Sequence, residues 1–410
     1  MTLPTVRGWR RRVAGIAAAV LVAGIGAAPP AAAATSTVDT ALEWYDATAA
    51  TIATGTRPQV TNSRAWAISW LAAARATRTG AGRHYQEAAL ASAVHTALTT
   101  LIPEGAPTLD IALRTTLERI PDRRTRQRGV AAGRTEARSL LAQRAADGLD
   151  PASVNPAFPT PDPGPGIWQP TPPSLTTAQQ AGTRFATPFL LDRADRYRPG
   201  PPPAPDSERY RADLAEVRAY GAADSAVRTP QQTDTATFWL GSSLTLYTGI
   251  LRAALAQSTR PIATRAGLVA IFHVALVDTQ IATSDAKYAY LRWRPVTAIR
   301  AGAGGDPQWT PLHPTPAHPD YPSGHNTYSG AAEQVLTALV GARARGPYTV
   351  TSPSQPAATR TYSDWRRPTE ENIDARVWSG IHTRTADEVG VQLGRDVAAY
   401  TVSNAARLFA

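Results

Sequence analysis

Three short clusters of polar and cationic residues place the strongest constraint on how this chain can fold. They comprise residues 287–295, 322–325 and 376–382. Lys287, Arg294 and Arg376 supply three positive charges, and the two guanidinium groups match pairs of anion oxygens. A fold that brings the clusters together would therefore hold a dianion or a trianion.

The second cluster stands at the predicted start of a helix. Ser323 and Gly324 precede residues 326–340, where apolar side chains recur at helical spacing. The Ser323 hydroxyl and the Gly324 amide would then lie at a helix N-terminus, which binds anions. Because Gly324 has no side chain, the backbone can approach a ligand closely there.

The position of the single lysine in the chain supports the same anion site. The chain has 42 basic residues and Lys287 is the single lysine among them. A chain that uses arginine for every other cation still has a lysine seven residues before Arg294. This argues against a random surface position for Lys287.

The periodicity of the remaining sequence predicts an all-α protein. The 410 residues are 43% hydrophobic and strand signals are scarce, while Ala, Arg, Leu and Glu recur at helical spacing. Predicted helices fill residues 38–147 and return at 207–217 and 235–257. A long helix runs from Ile262 towards Lys287, and Pro295 predicts a break at Arg294.

Proline-rich segments predict long irregular connections between the helices. Residues 148–206 contain two proline runs that exclude helix. We expect this segment to wrap over the helical body, anchored by Trp168, Phe185 and Phe189; a flexible linker is the alternative. Residues 311–322 are predicted to form another proline-rich loop, and residues 346–372 are predicted to form a polar connection. Residues 385–388 fit a capping box, which predicts the start of the last helix.

The N-terminus has the pattern of an export signal. Four arginines lie in residues 7–12, an apolar run follows at 13–28, and small residues at 31–34 end the segment. We expect residues 1–34 to be a cleaved signal peptide of a secreted protein, with the twin-arginine route as one option; a membrane anchor is the alternative. No other stretch is expected to span a bilayer, so no stable membrane insertion should remain after cleavage.

Charge and cysteine content exclude several classes of function. Four of the ten net positive charges lie in residues 1–34. The remaining net positive charge is spread along the chain and does not form a basic arm. This distribution disfavours nucleic-acid binding. The chain has no cysteine, so a disulfide framework, thiolate catalysis and Cys-ligated zinc are all excluded. His95 and His273 lie within apolar helical segments and are expected to be packed rather than catalytic.

The cluster spacings resemble the signature of the phosphatidic-acid-phosphatase type 2 (PAP2) and vanadium-dependent haloperoxidase superfamily. That signature is Lys, six residues, Arg-Pro; then Pro-Ser-Gly-His; then Arg, five residues, His. Residues 228–229 and 238–239, together with Tyr321, look like the actinobacterial haloperoxidase branch. The resemblance implies helical bundles around the site. It also implies one all-α domain over residues 35–410, with N-terminal helices and proline-rich connections at 35–206 and a catalytic PAP2-like part at 207–410.

The resemblance also implies a cofactor and a role for each residue. Vanadate would bind with vanadium on the neutral imidazole nitrogen of His382. Its equatorial oxygens would be held by Lys287, Arg294, Ser323, Gly324 and Arg376. His325 would bond the opposite apical hydroxide and move protons, while Lys287 would make bound hydrogen peroxide more electrophilic towards halide. The product would be hypohalous acid, which halogenates small organic acceptors.

The same residues suit phosphate chemistry, so an alternative function stays open. In a PAP2-type acid phosphatase, His382 would attack phosphorus and His325 would protonate the leaving alcohol. Chain length, export and the flanking residues favour the haloperoxidase. A non-catalytic oxyanion-binding protein would need the cations but has no use for His325.

Some positions depart from the superfamily pattern. Ala375 replaces a usual serine, and Asp387 follows His382 one residue later than in phosphatases, which leaves its role as imidazole partner open. Ser284 and His318 stand where fungal chloroperoxidases have aromatic residues. They predict a polar halide pocket that favours bromide or iodide over chloride, although His318 could also be a loop residue that never reaches the cavity.

Overall fold

Helices form most of the computed structural model, which describes residues 38–301 and 304–410. The helices within these residues are α1 (Thr40–Ala53), α2 (Gln59–Ala76), α3 (Arg83–Leu101), α4 (Ala106–Glu118), α5 (Arg123–Gln143), α6 (Pro151–Val154), α7 (Glu208–Tyr220), α8 (Pro230–Phe238), α9 (Ser243–Ala256), α10 (Ile262–Tyr290), α11 (Pro295–Ala301), α12 (Gly324–Leu339), α13 (Arg367–Trp378) and α14 (Arg384–Ser403). One hairpin joins strands β1 (Arg343–Ser352) and β2 (Gln355–Asp364). The prediction of a helical-bundle fold is confirmed.

Helix α10 is the centre of the fold. It packs against α2, α12 and α14, and most of its side chains are buried. It is long and apolar enough to cross a membrane, contrary to the expectation that no stretch after the signal segment could do so. Because 94% of its most apolar window is buried inside the protein, α10 is the core helix of the bundle.

The end of α10 sets the direction of two site residues. Leu291 adopts a left-handed conformation with φ 49°, which ends the helix, and Pro295 begins α11 four residues later. Lys287 therefore lies in the last turn of α10 and Arg294 in the break between two helices. The break predicted at Arg294 is present.

The N-terminal helices bury an aromatic cluster against α10. Tyr45, Trp66 and Trp70 pack on one another, and the ring of His273 stacks on Trp66 with ring centroids 4.5 Å apart. Neither ring nitrogen of His273 has a hydrogen-bond partner in the described part of the chain. Nε2 of His95 lies 2.7 Å from Oδ1 of Asp110. Both histidines are therefore engaged in packing or surface contacts away from the three clusters.

The proline-rich segment from 148 to 206 lies on the helical body rather than forming a free linker. Trp168 is fully buried, and its neighbourhood includes Tyr288 of α10. The carboxylate of Asp278 accepts hydrogen bonds from three successive backbone amides at residues 189–191. Phe185 is 74% exposed, so its predicted role as an anchor is wrong; a guanidinium, that of Arg184, covers one face of its ring.

Local boundaries differ from expectation in three places. The predicted polar connection at 346–372 contains most of β1, all of β2 and the start of α13. The predicted helix at 235–257 is two helices, α8 and α9. Thr383, rather than a residue of the 385–388 box, caps α14, because its side chain accepts a hydrogen bond from the Ala386 amide.

Residues Asp39–Ala410 form one compact unit. The signal peptide predicted for residues 1–34 lies outside the described residues. The residues of the three motif clusters come from α10 to α14 and their connections, and α2 packs against α10.

Candidate active site

The three sequence clusters meet at one cavity of about 190 Å³. Lys287, Gly324, His325 and His382 all line it, so residues up to 95 positions apart share one space. Polar side chains form most of the remaining wall: Gln59, Gln179, Gln180, Gln280, Thr283 and Ser284. Each cluster therefore contributes to one cavity, whereas Arg294, Ser323 and Arg376 are buried and are not among the residues that line it.

Lys287 is held at the cavity wall by backbone carbonyls. Its Nζ donates to the carbonyl of Pro319 at 2.5 Å and to that of Asp320 at 3.1 Å. The side chain is only 4% exposed. Both acceptors belong to the loop that leads into the second cluster, so this loop and α10 are fixed to each other at the site.

Arg294 links the first cluster to the third and to the loop that precedes the second. Its Nε donates to the His318 carbonyl at 2.7 Å, and its Nη1 donates to the Ile381 carbonyl at 2.6 Å. Nη1 also lies 3.1 Å from Nε2 of His382. Arg294 is fully buried, which fixes its guanidinium beside the imidazole.

The second cluster presents unpaired donors at the start of α12. Ser323 is the N-cap residue of α12, yet its side chain does not cap the helix. Its Oγ lies near the buried Asp387 carboxylate and has no hydrogen-bond partner within 3.5 Å in the described ranges. The first amides of a helix have no acceptor inside it. A Cβ on Gly324 would meet only Cε of Lys287, at 3.9 Å, so the space beside this amide is open. Hydroxyl, amide and open space together suit an oxyanion.

His325 and Arg376 are positioned by the backbone between α8 and α9. The ring Nε2 of His325 lies 3.0 Å from the Gly241 carbonyl, which makes Nε2 the protonated nitrogen and leaves Nδ1 with the lone pair. Nη1 of Arg376 donates to the Trp239 carbonyl at 3.2 Å, whereas its buried Nε has no partner among residues 38–301 and 304–410. Arg376 thus keeps a free donor.

His382 is oriented by a carboxylate that sequence analysis missed. Oδ1 of Asp320 lies 2.6 Å from Nδ1 of His382, and both side chains are 1% exposed. Nδ1 therefore carries the proton, and the lone pair of Nε2 faces Nη1 of Arg294. Burial, followed by Arg294 and Lys287, lowers the pKa of His382 well below its ordinary range, so the imidazole is neutral.

Asp387 does not bond His382. Its Oδ1 accepts a hydrogen bond of 2.7 Å from the side-chain Nδ2 of Asn326. The carboxylate that bonds the imidazole of His382 is that of Asp320. In the sequence, the only signal for Asp320 was its position three residues before Ser323. In the structure, its backbone carbonyl also accepts a hydrogen bond from Lys287. Spacing from His382, 62 positions away, could not reveal this pairing.

The two residues predicted for a halide pocket both line the cavity. Nδ1 of His318 lies 3.0 Å from Nη2 of Arg294, so His318 reaches the site rather than remaining a loop residue. Ser284 donates to the Gln180 carbonyl at 2.8 Å, which ties the proline-rich segment to the cavity wall. The wall at these positions is polar.

Burial makes the site's cations costly without a counter-anion. Desolvation lowers the pKa of Arg294 to about 10 and that of Arg376 to about 9, and it lowers the pKa of Lys287 well below its usual value. Two buried carboxylates, Asp320 and Asp387, offset part of the charge. Burial also raises the pKa of Asp320 to about 6, so charge compensation inside the protein is incomplete. An anion bound in the cavity would supply the missing negative charge.

The described residues contain no group of three or more His, Asp or Glu side chains arranged around a metal cation. The donors that converge are an imidazole, guanidinium groups, an ammonium, a hydroxyl and a helix N-terminus. That set is suited to a tetrahedral oxyanion with one atom bound by nitrogen.

Fold and site together define the class. Residues 267–410 match the family model described as the VCPO second helical-bundle domain. The matched segment contains all three motif clusters and supports the resemblance to the vanadium haloperoxidase/PAP2-like superfamily; outside residues 267–410 the likeness is one of fold.

Solved structures show the same fold over most of the chain. A bacterial vanadium-dependent iodoperoxidase superposes with a TM-score of 0.77 and 24% identity, covering 90% of this chain and 97% of its own. A bacterial vanadium-dependent chloroperoxidase in its holo form superposes with a TM-score of 0.68 and 16% identity, covering 85% of this chain and 92% of its own. Comparison with curated proteins gives no match.

Proposed function

We propose that this protein is a vanadate-dependent haloperoxidase that oxidises halide with hydrogen peroxide to hypohalous acid. The observation that carries the proposal is the pairing of His382 with Asp320 beside three buried cations, in the fold shared with bacterial vanadium haloperoxidases. This pairing leaves a neutral nitrogen directed away from the carboxylate, as a ligand to vanadium requires.

The residues present fit vanadate. Ser323 Oγ and Arg376 Nε are buried donors without partners in the described ranges, and the space beside Gly324 is open. Lys287, Arg294, Arg376, Ser323 and the Gly324 amide would hold the oxygens, and Nε2 of His382 would hold vanadium. When bound, vanadate supplies a Lewis acid that activates hydrogen peroxide towards attack by halide.

The protein's own groups handle the protons and the charge. Burial, with Arg376 second, lowers the pKa of His325 well below its ordinary value, so its ring is neutral and Nδ1 can accept a proton from hydrogen peroxide. Lys287 holds its ammonium at the cavity wall through two carbonyls and stabilises negative charge that develops on oxygen. Asp320 keeps His382 in one tautomer throughout.

We further propose that iodide and bromide are oxidised faster than chloride. His318 and Ser284, both polar, line the cavity, and amide side chains extend the polar wall. A polar, hydrated wall weakens the electrostatic activation of the oxidant, and chloride is the hardest of the three halides to oxidise.

The test uses purified protein loaded with orthovanadate and supplied with hydrogen peroxide and each halide in turn. Halogenation of monochlorodimedone with iodide or bromide, inhibited by phosphate, supports the proposal. A parallel reaction with p-nitrophenyl phosphate and no vanadate tests the acid phosphatase. Phosphatase turnover that vanadate blocks, without halide oxidation, would replace the haloperoxidase with that alternative.

The protein is also proposed to be exported, with residues 1–34 removed. The arginine cluster and apolar run at the N-terminus support this. N-terminal sequencing of the protein from culture medium should give a start near Thr35; retention of the intact N-terminus in the membrane fraction would favour the anchor instead.

A further inference from the structure

A second cavity, of about 260 Å³, lies towards the other end of α10. It is bordered by the first turns of α10, the C-terminal ends of α9 and α12, and the start of β1. Its apolar wall consists of Ala254, Ala263, Leu268, Ile271, Leu339 and Val340. Leu268 and Lys287 are separated by about 28 Å along the helix at 1.5 Å per residue, so this cavity is distinct from the anion site.

Four arginines and no carboxylate line this second cavity: Arg78, Arg260, Arg265 and Arg345. Arg265 binds both oxygens of Asp39, at 2.7 and 2.8 Å, so its charge is compensated. The other three have no carboxylate partner among the described residues. The cavity therefore combines an apolar wall with an uncompensated positive rim.

Two of the four arginines, Arg78 and Arg265, are held at the cavity by their surroundings, whereas Arg260 and Arg345 are exposed. The guanidinium of Arg78 stacks over Phe409, with Cζ 3.6 Å from the ring centroid. A Cβ on Gly267 would lie 3.3 Å from Nη2 of Arg78, so the missing side chain leaves room beside the guanidinium. Arg265 is only 7% exposed, and its Nε has no partner within the described part of the chain.

We propose that this cavity binds an organic monocarboxylate with a hydrocarbon body, of the size of a medium-chain fatty acid. The carboxylate would pair with Arg78, Arg260 and Arg345 at the rim, and the hydrocarbon would pack on Leu268 and the other apolar side chains. A neutral hydrocarbon would leave the rim uncompensated, and a small inorganic anion would leave the apolar wall in contact with water. Ligand pockets generally span ~300–1,000 Å³, so this one suits a short ligand.

Calorimetric titration of purified, vanadate-free protein with decanoate tests the proposal without reference to halide oxidation. One decanoate should bind per chain, and affinity should rise roughly fourfold per methylene from hexanoate to decanoate. Decanol should bind at least about tenfold more weakly, because it cannot form charge-assisted hydrogen bonds. Inorganic phosphate, which can occupy the anion site, should not displace decanoate.

The variant R260Q/R345Q should weaken decanoate binding at least about tenfold. The matched control R134Q/R138Q, which removes the same charge from exposed positions on α5, should bind as the unmodified protein does. The single variant R260Q provides the same comparison, with a smaller loss, if the double variant does not fold. Equal binding of decanol and decanoate, displacement by phosphate, equal losses in both double variants, or no binding at all would each overturn the proposal.

Discussion

Asp320 fixes both His382 and Lys287, the first through its carboxylate and the second through its backbone. Oδ1 accepts a 2.6 Å hydrogen bond from Nδ1 of His382, and Oδ2 accepts one of 2.8 Å from the Thr383 hydroxyl. The carbonyl of the same residue accepts Nζ of Lys287 at 3.1 Å. A change in the side chain of Asp320 should therefore affect the imidazole while leaving the lysine contact in place.

Replacing Asp320 by Asn should weaken vanadate binding by roughly 10- to 100-fold. The amide is neutral and can present its NH₂ to Nδ1, which would reverse the tautomer and remove the lone pair from Nε2. Vanadate affinity is measured by calorimetry, with D285N, a change at a surface ion pair, as the control. Unchanged affinity in D320N would show that the carboxylate does not set the tautomer.

Replacing His325 by Ala should separate binding from turnover. Halide oxidation should fall by about 10²- to 10⁴-fold, because the proton acceptor is lost, whereas vanadate affinity should change only a few fold. Steady-state rates and calorimetric affinity are compared on the same preparation. A variant that retained full turnover would exclude His325 as the base, and lost binding would make it part of the anion site.

Replacing Lys287 by Met should weaken vanadate binding at least about tenfold, because one of the three positive charges of the site is lost. Burial, then Arg294, lowers the pKa of Lys287, so its charged form is costly until an anion compensates it. The variant K287R, which keeps the charge, is the control for affinity. Unchanged vanadate affinity in K287M would mean that the ammonium only holds the carbonyls of Pro319 and Asp320.

His273 should make the protein less stable in acid. Burial lowers the pKa of His273 well below 6.5. Below pH 6.5 the imidazole therefore binds a proton in the unfolded chain but stays neutral in the folded protein. This group alone should lower the free energy of unfolding by about 1.4 kcal/mol between pH 7.5 and 5.5. Urea unfolding at both pH values should show a smaller loss in H273L; an identical pH dependence would contradict the assignment.

The helices were predictable because their signals are local, and the meeting of the three clusters was predictable because their motifs resemble one family signature. The apolar periodicity that begins at Ile262 and the proline at 295 mark α10 and its end within a few residues. The β1–β2 hairpin was not predicted. The second half of β1 alternates, with Tyr348, Val350 and Ser352 buried, but β2 buries only Tyr362. An alternation this short, with one inward residue in the second strand, is a weak strand signal.

Contacts between distant residues could not be read in the same way. Motif spacing brought Lys287, Ser323 and Arg376 to one site, but it does not indicate which carboxylate faces His382. Asp387 was the nearer choice along the chain, and it bonds Asn326 instead. Phe185 shows the same limit, since an aromatic residue in a proline-rich segment can lie outside the core and stack on an arginine.

The burial of the single lysine has a consequence for a protein that would release an oxidant of its own making. Hypohalous acids attack thiols, thioethers and amines most rapidly. This chain has no cysteine, its one methionine is Met1, and its one side-chain amine is 4% exposed. The reactive groups through which such an enzyme would first inactivate itself are thus almost missing from its surface, and prolonged turnover should consume acceptor rather than protein.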